Sequence, residues 1–175
     1  MKRLAIAMAI GSLVACGGGS KDNPTAPTSS ALPANIAGSY GTTVIASSTC
    51  SGNLPTQARS LGFLATVTQN GAAVQMQLTA HVPGTPSATV SGTISGQTVS
   101  LPSFTLNEAM GNGATLAVSG NASVGANGSI TGTLSGTYQT PSGPSCNATN
   151  HQIEMVKLCP QPTANGTALL PCVGI

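Results

Sequence analysis

The sequence predicts an all-β protein, an eight-stranded antiparallel up-and-down barrel, with a β-sandwich as the competing architecture. Three observations predict it. From Ile36 to Leu158 apolar and polar residues alternate, with turn signals about every ten residues. The connections between these runs are mostly short, which favours pairing in meander order and closure of the sheet on itself. Gly, Ser, Thr and Asn are abundant, yet 40% of the chain is hydrophobic, so the composition is not the weakly apolar, highly charged one of a disordered chain.

The N-terminus has three zones. Lys2 and Arg3 form a positive head, Leu4 to Val14 is an uncharged apolar run, and the small Ala15 precedes Cys16. This is the layout of a secretory signal, and the run is too short to span a bilayer as a mature helix. Leu13-Val14-Ala15-Cys16 resembles the lipobox of bacterial lipoproteins. The resemblance implies cleavage before Cys16, a diacylglycerol thioether on its thiol, and a fatty acyl chain such as palmitate on the new amino group. Residues 1–15 are then a signal peptide, and the chain meets the membrane through lipid on Cys16. Buried acyl chains contribute about 0.8 kcal/mol per CH₂, so more than one chain anchors stably. Gly17, where an Asp would favour the inner membrane, implies by the same resemblance the outer membrane of the cell envelope.

Residues 16–35 read as the lipidated cysteine and a spacer, flexible where Gly and Ser dominate and stiffened by Pro24, Pro27 and Pro33. Beyond the leader, Lys21, Arg59 and Lys157 balance Asp22, Glu108 and Glu154. This formal neutrality, with aromatics at 2%, excludes a basic nucleic-acid surface.

Residues 36–158 form the barrel domain. Strand one is expected from about Ile36 to Ser47. The runs Leu61–Gln69 and Ala72–Val82 flank Asn70-Gly71, which suits a type I′ hairpin. That turn places Val67 opposite Val74, Ala65 opposite Met76, Phe63 opposite Leu78 and Leu61 opposite Ala80, all on one face. A second hairpin, Ala88–Ser95 with Thr98–Leu106, turns at Gly96-Gln97. Phe104 and Leu106 fall on the opposite parity to Val99 and Leu101, so a bulge is expected at Pro102-Ser103. The third joins Ala114–Val124 to Ser129–Tyr138. An odd-length loop with Gly128 left-handed keeps Leu116, Val118, Ala122 and Val124 on one face with Ile130, Leu134 and Tyr138. The last strand runs from about Asn147 to Leu158. Gly92, Gly120, Gly132 and Gly136 are in phase with the apolar sets, leaving the interior either under-filled or closed by tight backbone packing.

Gly38-Ser39-Tyr40 resembles the Gly-x-Trp that opens strand one of lipocalins and avidins, and Lys157 stands where lipocalins place a basic residue over that Trp. The pattern over residues 36–158 is also similar to the small Gly/Thr-rich barrels of bacterial lipoproteins. Trp is absent from this chain, and so is an avidin-like set of stacking aromatics, so biotin is not implied.

With Cys16 committed to lipid, Cys50, Cys146, Cys159 and Cys172 remain, an even number for an oxidising envelope. Barrel closure brings strands one and eight together antiparallel, so Cys50 and Cys146 meet at one end. Cys159 is left to Cys172, clasping residues 159–175 as a C-terminal tail. Spacing of the Cys and His residues fits no metal site. The same closure puts Tyr40 opposite Val156 or Lys157; either the lysine stem covers the ring and plugs that end, leaving access from the end bearing Cys50 and Cys146, or Lys157 points into solvent where the strand frays.

Catalytic chemistry finds little footing. His81 lies on a polar strand face, and His151 and Glu154, three apart in a strand, point to opposite faces. Glu108 flanks a Gly-rich turn, Met110-Gly111-Asn112-Gly113, that lacks the Lys-Ser/Thr of a phosphate loop. No cofactor and no enzyme activity is implied. Two roles remain: a structural or interaction role for a lipid-anchored envelope protein, whose partner the sequence does not name, or lipocalin-like binding of a small apolar ligand in the barrel.

Overall fold

The computed structural model describes residues 31–56, 59–80, 88–107, 115–140, 143, 145–163 and 166–172. Among these residues nine antiparallel strands follow in sequence order: β1 (Gly38–Ile45), β2 (Ser60–Asn70), β3 (Ala73–Ala80), β4 (Ala88–Ser95), β5 (Thr98–Asn107), β6 (Thr115–Val124), β7 (Ile130–Gln139), β8 (Ser145–Thr163) and β9 (Gly166–Pro171). Pairing of β1 with β8, from Ser39↔Leu158 to Ile45↔Gln152, closes β1–β8 into an up-and-down barrel. Closure removes the free edges that an open eight-stranded sheet would expose and leaves those of the β8–β9 extension.

One end, here called proximal, carries residues 31–37 and the β2–β3, β4–β5 and β6–β7 loops. The other, distal, carries a short 3-10 helix, Ser48–Gly52, and the Cys50–Cys146 disulfide. Two elements differ from expectation. The last barrel strand continues five residues past Leu158, and a ninth strand stands in the expected tail, pairing from Leu158↔Pro171 to Thr163↔Gly166. The tail is thus a β-ribbon, clasped by Cys159–Cys172.

The first hairpin corrects a register. Val67 pairs with Met76, Ala65 with Leu78 and Phe63 with Ala80, two residues away from the pairing expected of an Asn-Gly turn. Asn70 pairs with Ala73, so Gly71-Ala72 is the loop, and positive φ falls at Gly71 alone. A type I′ turn needs it at both positions. Because the slip is by two, every side chain keeps its face, and Leu61, Phe63, Ala65, Val67, Val74, Met76 and Leu78 are all buried.

The other hairpins follow their sequence logic. Ser95 pairs with Thr98 around Gly96-Gln97. On β5 the register against β6 shifts between Leu101 and Phe104, at Pro102-Ser103. Between Val124↔Ile130 lies a five-residue loop with Gly128 at φ +74°.

Inside, a single apolar cluster runs the length of the lumen, including Tyr40, Leu61, Met76, Ile94, Leu106, Leu116, Leu134, Tyr138 and Met155. The glycines of β6 and β7 explain how so few large residues fill it. Gly136 pairs with Val118, Gly132 with Ala122 and Gly120 with Leu134. A Cβ on Gly132 would stand 2.2 Å from the Asn121 carbonyl oxygen, and one on Gly136 2.1 Å from that of Ala117. Real Cβ atoms never approach backbone so closely, so these glycines bring the two strands together and narrow the barrel. At these positions the space a side chain would fill is taken by the backbone of the neighbouring strand.

Candidate functional site

Cys16, expected to carry lipid, and the expected spacer up to residue 30 lie outside the described residues, as do His81, Glu108 and the expected turn at Met110–Gly113. Among the described residues the candidate sites are the two ends of the barrel.

The proximal end is closed by the entering chain. Ala34 donates its N–H to the Gly96 carbonyl (2.7 Å), which leads residues 34–36 over the lumen. Ile36 is fully buried. Its N–H donates to Gln69 Oε1 (2.8 Å), while Gln69 Nε2 donates to the carbonyls of Ala34 and Gly71 (3.0 Å each). One amide side chain therefore satisfies both a donor and an acceptor of the crossing segment, which would otherwise be unpaired near the core. Beneath it the Tyr40 hydroxyl donates to the Ile36 carbonyl (2.9 Å), and burial pushes its phenol above the ordinary value. Tyr40 pairs with Lys157 across the β1–β8 closure, and the lysine Nζ stands 5.9 Å from the ring centroid. The lysine stem passes over Gly38 and Gly128, where an added Cβ would sit 3.2 and 3.4 Å from its carbons.

The distal end is closed covalently and by hydrogen bonds. Cys50 is fully buried beside Leu54 and is bonded to Cys146, with a Cα–Cα distance of 5.6 Å. Arg59 holds the same segment through its guanidinium, donating to the carbonyls of Leu54 (2.9 Å) and Ser51 (2.5 Å). His151 is fully buried and anchors the segment from below: Nδ1 accepts the Ser47 N–H (3.1 Å). That bond leaves the neutral ring protonated at Nε2, which donates to the Gly136 carbonyl (3.1 Å). The ring is thus fully committed to holding backbone. Glu154 is exposed on the outer face, so the two are apart as their spacing requires. The end expected to admit a ligand is, among the described residues, occupied by Cys50 and Leu54.

Three participants were not anticipated. Gln69 and His151 both carry a signal in parity: Gln69 is in phase with Leu61, Phe63, Ala65 and Val67, and His151 with Ile153 and Met155. A polar residue at an inward position must find partners, and each does so at one rim. The β-bulge opposite Leu134/Gly136 aims His151 inward although Cys146 and Ala148 are on the other parity. Ile36 shows no comparable signal, because a single apolar residue ahead of a strand is ambiguous.

No protein-family model matches the chain, and no curated protein or solved structure is significantly similar to it.

Proposed function

We propose that this chain is a lipid-anchored envelope protein with a structural or interaction role, its barrel a filled body carried on a spacer from Cys16. The observation that carries the role is the closed, filled lumen. Side chains of the chain itself run from Ile36 at one end to Cys50 and Leu54 at the other, and tight β6–β7 packing draws the wall inward. A barrel whose described interior is filled by its own side chains is suited to work through its outer surface and its position. The address rests on Leu13-Val14-Ala15-Cys16 and the leader before it. The outer membrane is the membrane this reading assigns, and the role is non-catalytic.

A second reading, a small apolar ligand held in the barrel, has one feature in its favour. The Thr42 hydroxyl is buried in the lumen without a hydrogen-bond partner. A guest atom there would satisfy it, at the expense of the apolar packing around it.

The anchor is tested by metabolic labelling. Cys16→Ala should abolish incorporation of a fatty-acid probe and accumulate uncleaved precursor. Undiminished labelling in that variant would remove the site.

A further inference from the structure

We propose that the β8–β9 ribbon is a second membrane contact, seated in the headgroup region of the bilayer to which Cys16 is anchored. The proposal deepens the anchored reading and rests on it. Four observations carry it.

Position comes first. The chain enters the barrel at the proximal end, where Ala34 bonds to Gly96 and Ala31 lies beside the same loop. Residues 159–163 of β8 run beyond the first residues of β1 and β7 at that same end, paired to β9 alone. The fifteen steps from Cys16 to Ala31 span at most about 50 Å. An anchored barrel therefore holds its proximal end, and the ribbon, within reach of the membrane surface.

The second observation is composition. From Cys159 to Cys172 there is no charged residue. Leu169 and Leu170 are 49% and 47% exposed, and successive strand residues face opposite sides, so both faces of the ribbon show an apolar side chain.

The third is the backbone. Cys172 donates its N–H to the Lys157 carbonyl. Alternation then turns residues 168 and 170 towards β8, and residues 160, 162, 167, 169 and 171 outwards. Three of those five outward positions are prolines, Pro160, Pro162 and Pro171. The free β8 edge thus offers carbonyls and no N–H, which blocks addition of a protein strand there and removes donors that an apolar medium would leave unpaired.

Charge is the fourth. Lys157 is at the foot of the ribbon, partly exposed, whereas Arg59 is at the distal end and Glu154 lies further down the wall. Among the described residues the rim nearest the bilayer carries a cation, as an anionic headgroup surface favours.

The chain contains no tryptophan, so a single introduced one reports its own surroundings. The lipidated full chain carrying Leu170→Trp is reconstituted into phosphatidylethanolamine–phosphatidylglycerol vesicles with and without brominated acyl chains. Leu169→Trp reports from the opposite ribbon face, and Leu64→Trp from the barrel wall. A roughly twofold loss of emission in brominated vesicles is expected for a ribbon tryptophan at the headgroup–acyl boundary, with no change for Leu64→Trp. Vesicle flotation and fatty-acid labelling are read on the same samples. Floating, labelled protein whose ribbon tryptophans are no more quenched than Leu64→Trp overturns the ribbon contact and leaves the anchor standing. A concentration-dependent doubling of mass with unquenched, blue-shifted ribbon emission overturns it in favour of β9 pairing with a second copy. Absence of label and flotation overturns the anchored reading, and the proposal with it.

Discussion

The two ends of the barrel are closed by different means. At the distal end a disulfide, a guanidinium and a buried imidazole all hold one segment, residues 47–54, across the opening. At the proximal end the plug is residues 34–36 themselves, held by hydrogen bonds to Gln69 and Gly96 and by the Tyr40 hydroxyl. A bridge over a sequence separation of 96 removes much freedom from the unfolded chain; the hydrogen bonds of the proximal plug each add only a modest increment. The distal closure is therefore part of global stability, whereas the proximal one can open locally while the barrel survives.

The largest expected effect tests that asymmetry. Replacing Cys50 and Cys146 together by Ala should cost up to about 4.7 kcal/mol, read as a lowered denaturant midpoint for the whole barrel. Removing Cys159 and Cys172 opens a bridge with a separation of 13, worth about 3 kcal/mol by the same reasoning. That loss should appear as faster amide exchange in the ribbon and leave the barrel midpoint nearly unchanged.

Next comes Gln69→Leu, which strips partners from the Ile36 N–H and the Ala34 carbonyl. A cost of about 1–3 kcal/mol is expected, with amide exchange accelerated at residues 34–40 and unchanged at the Ser48–Gly52 helix. Equal acceleration at both ends would show that they open as one unit.

Legibility followed the kind of information each element needs. Parity placed most of the lumen residues, but not Ile36, and it could not put Cys146 and Ala148 on one face with His151, Ile153 and Met155, which the β8 bulge does. The bulge at Pro102-Ser103 was readable because Phe104 could not otherwise share a face with Leu101. The slip in the first hairpin was not readable, because pairings two residues apart bury the same side chains and the choice falls to backbone conformation at Gly71 and Ala72. Strand β9 was hidden by its own chemistry: Leu169 and Leu170 are adjacent instead of alternating, and three prolines in the ribbon read as loop. Pairing of the four cysteines followed from closure, since only adjacent strands one and eight bring Cys50 to Cys146.

Tyr40 supplies the smallest effects. Tyr40→Phe removes the bond to the Ile36 carbonyl and should cost about 0.5–1.5 kcal/mol. Its raised phenol pKa means that the folded chain favours the neutral form. This contribution is complete below the unfolded phenol value of about 10 and is lost as pH rises through the higher folded value. Alkaline titration of phenolate absorbance should show a late component that Tyr40→Phe abolishes. A double-mutant cycle of Tyr40→Leu and Lys157→Met should give a coupling of about 0.5–1 kcal/mol; zero coupling would mean the ammonium does not act on the ring.

Occupancy of the lumen is the central claim, and native mass spectrometry measures it most directly. The purified chain is incubated with an equimolar mixture of fatty acids and polycyclic apolar compounds and then released into the gas phase. The filled, doubly closed barrel predicts the mass of the covalent chain and no stoichiometric non-covalent adduct. A one-to-one adduct that survives release, and that Ala65→Phe in the lumen wall abolishes, would contradict it.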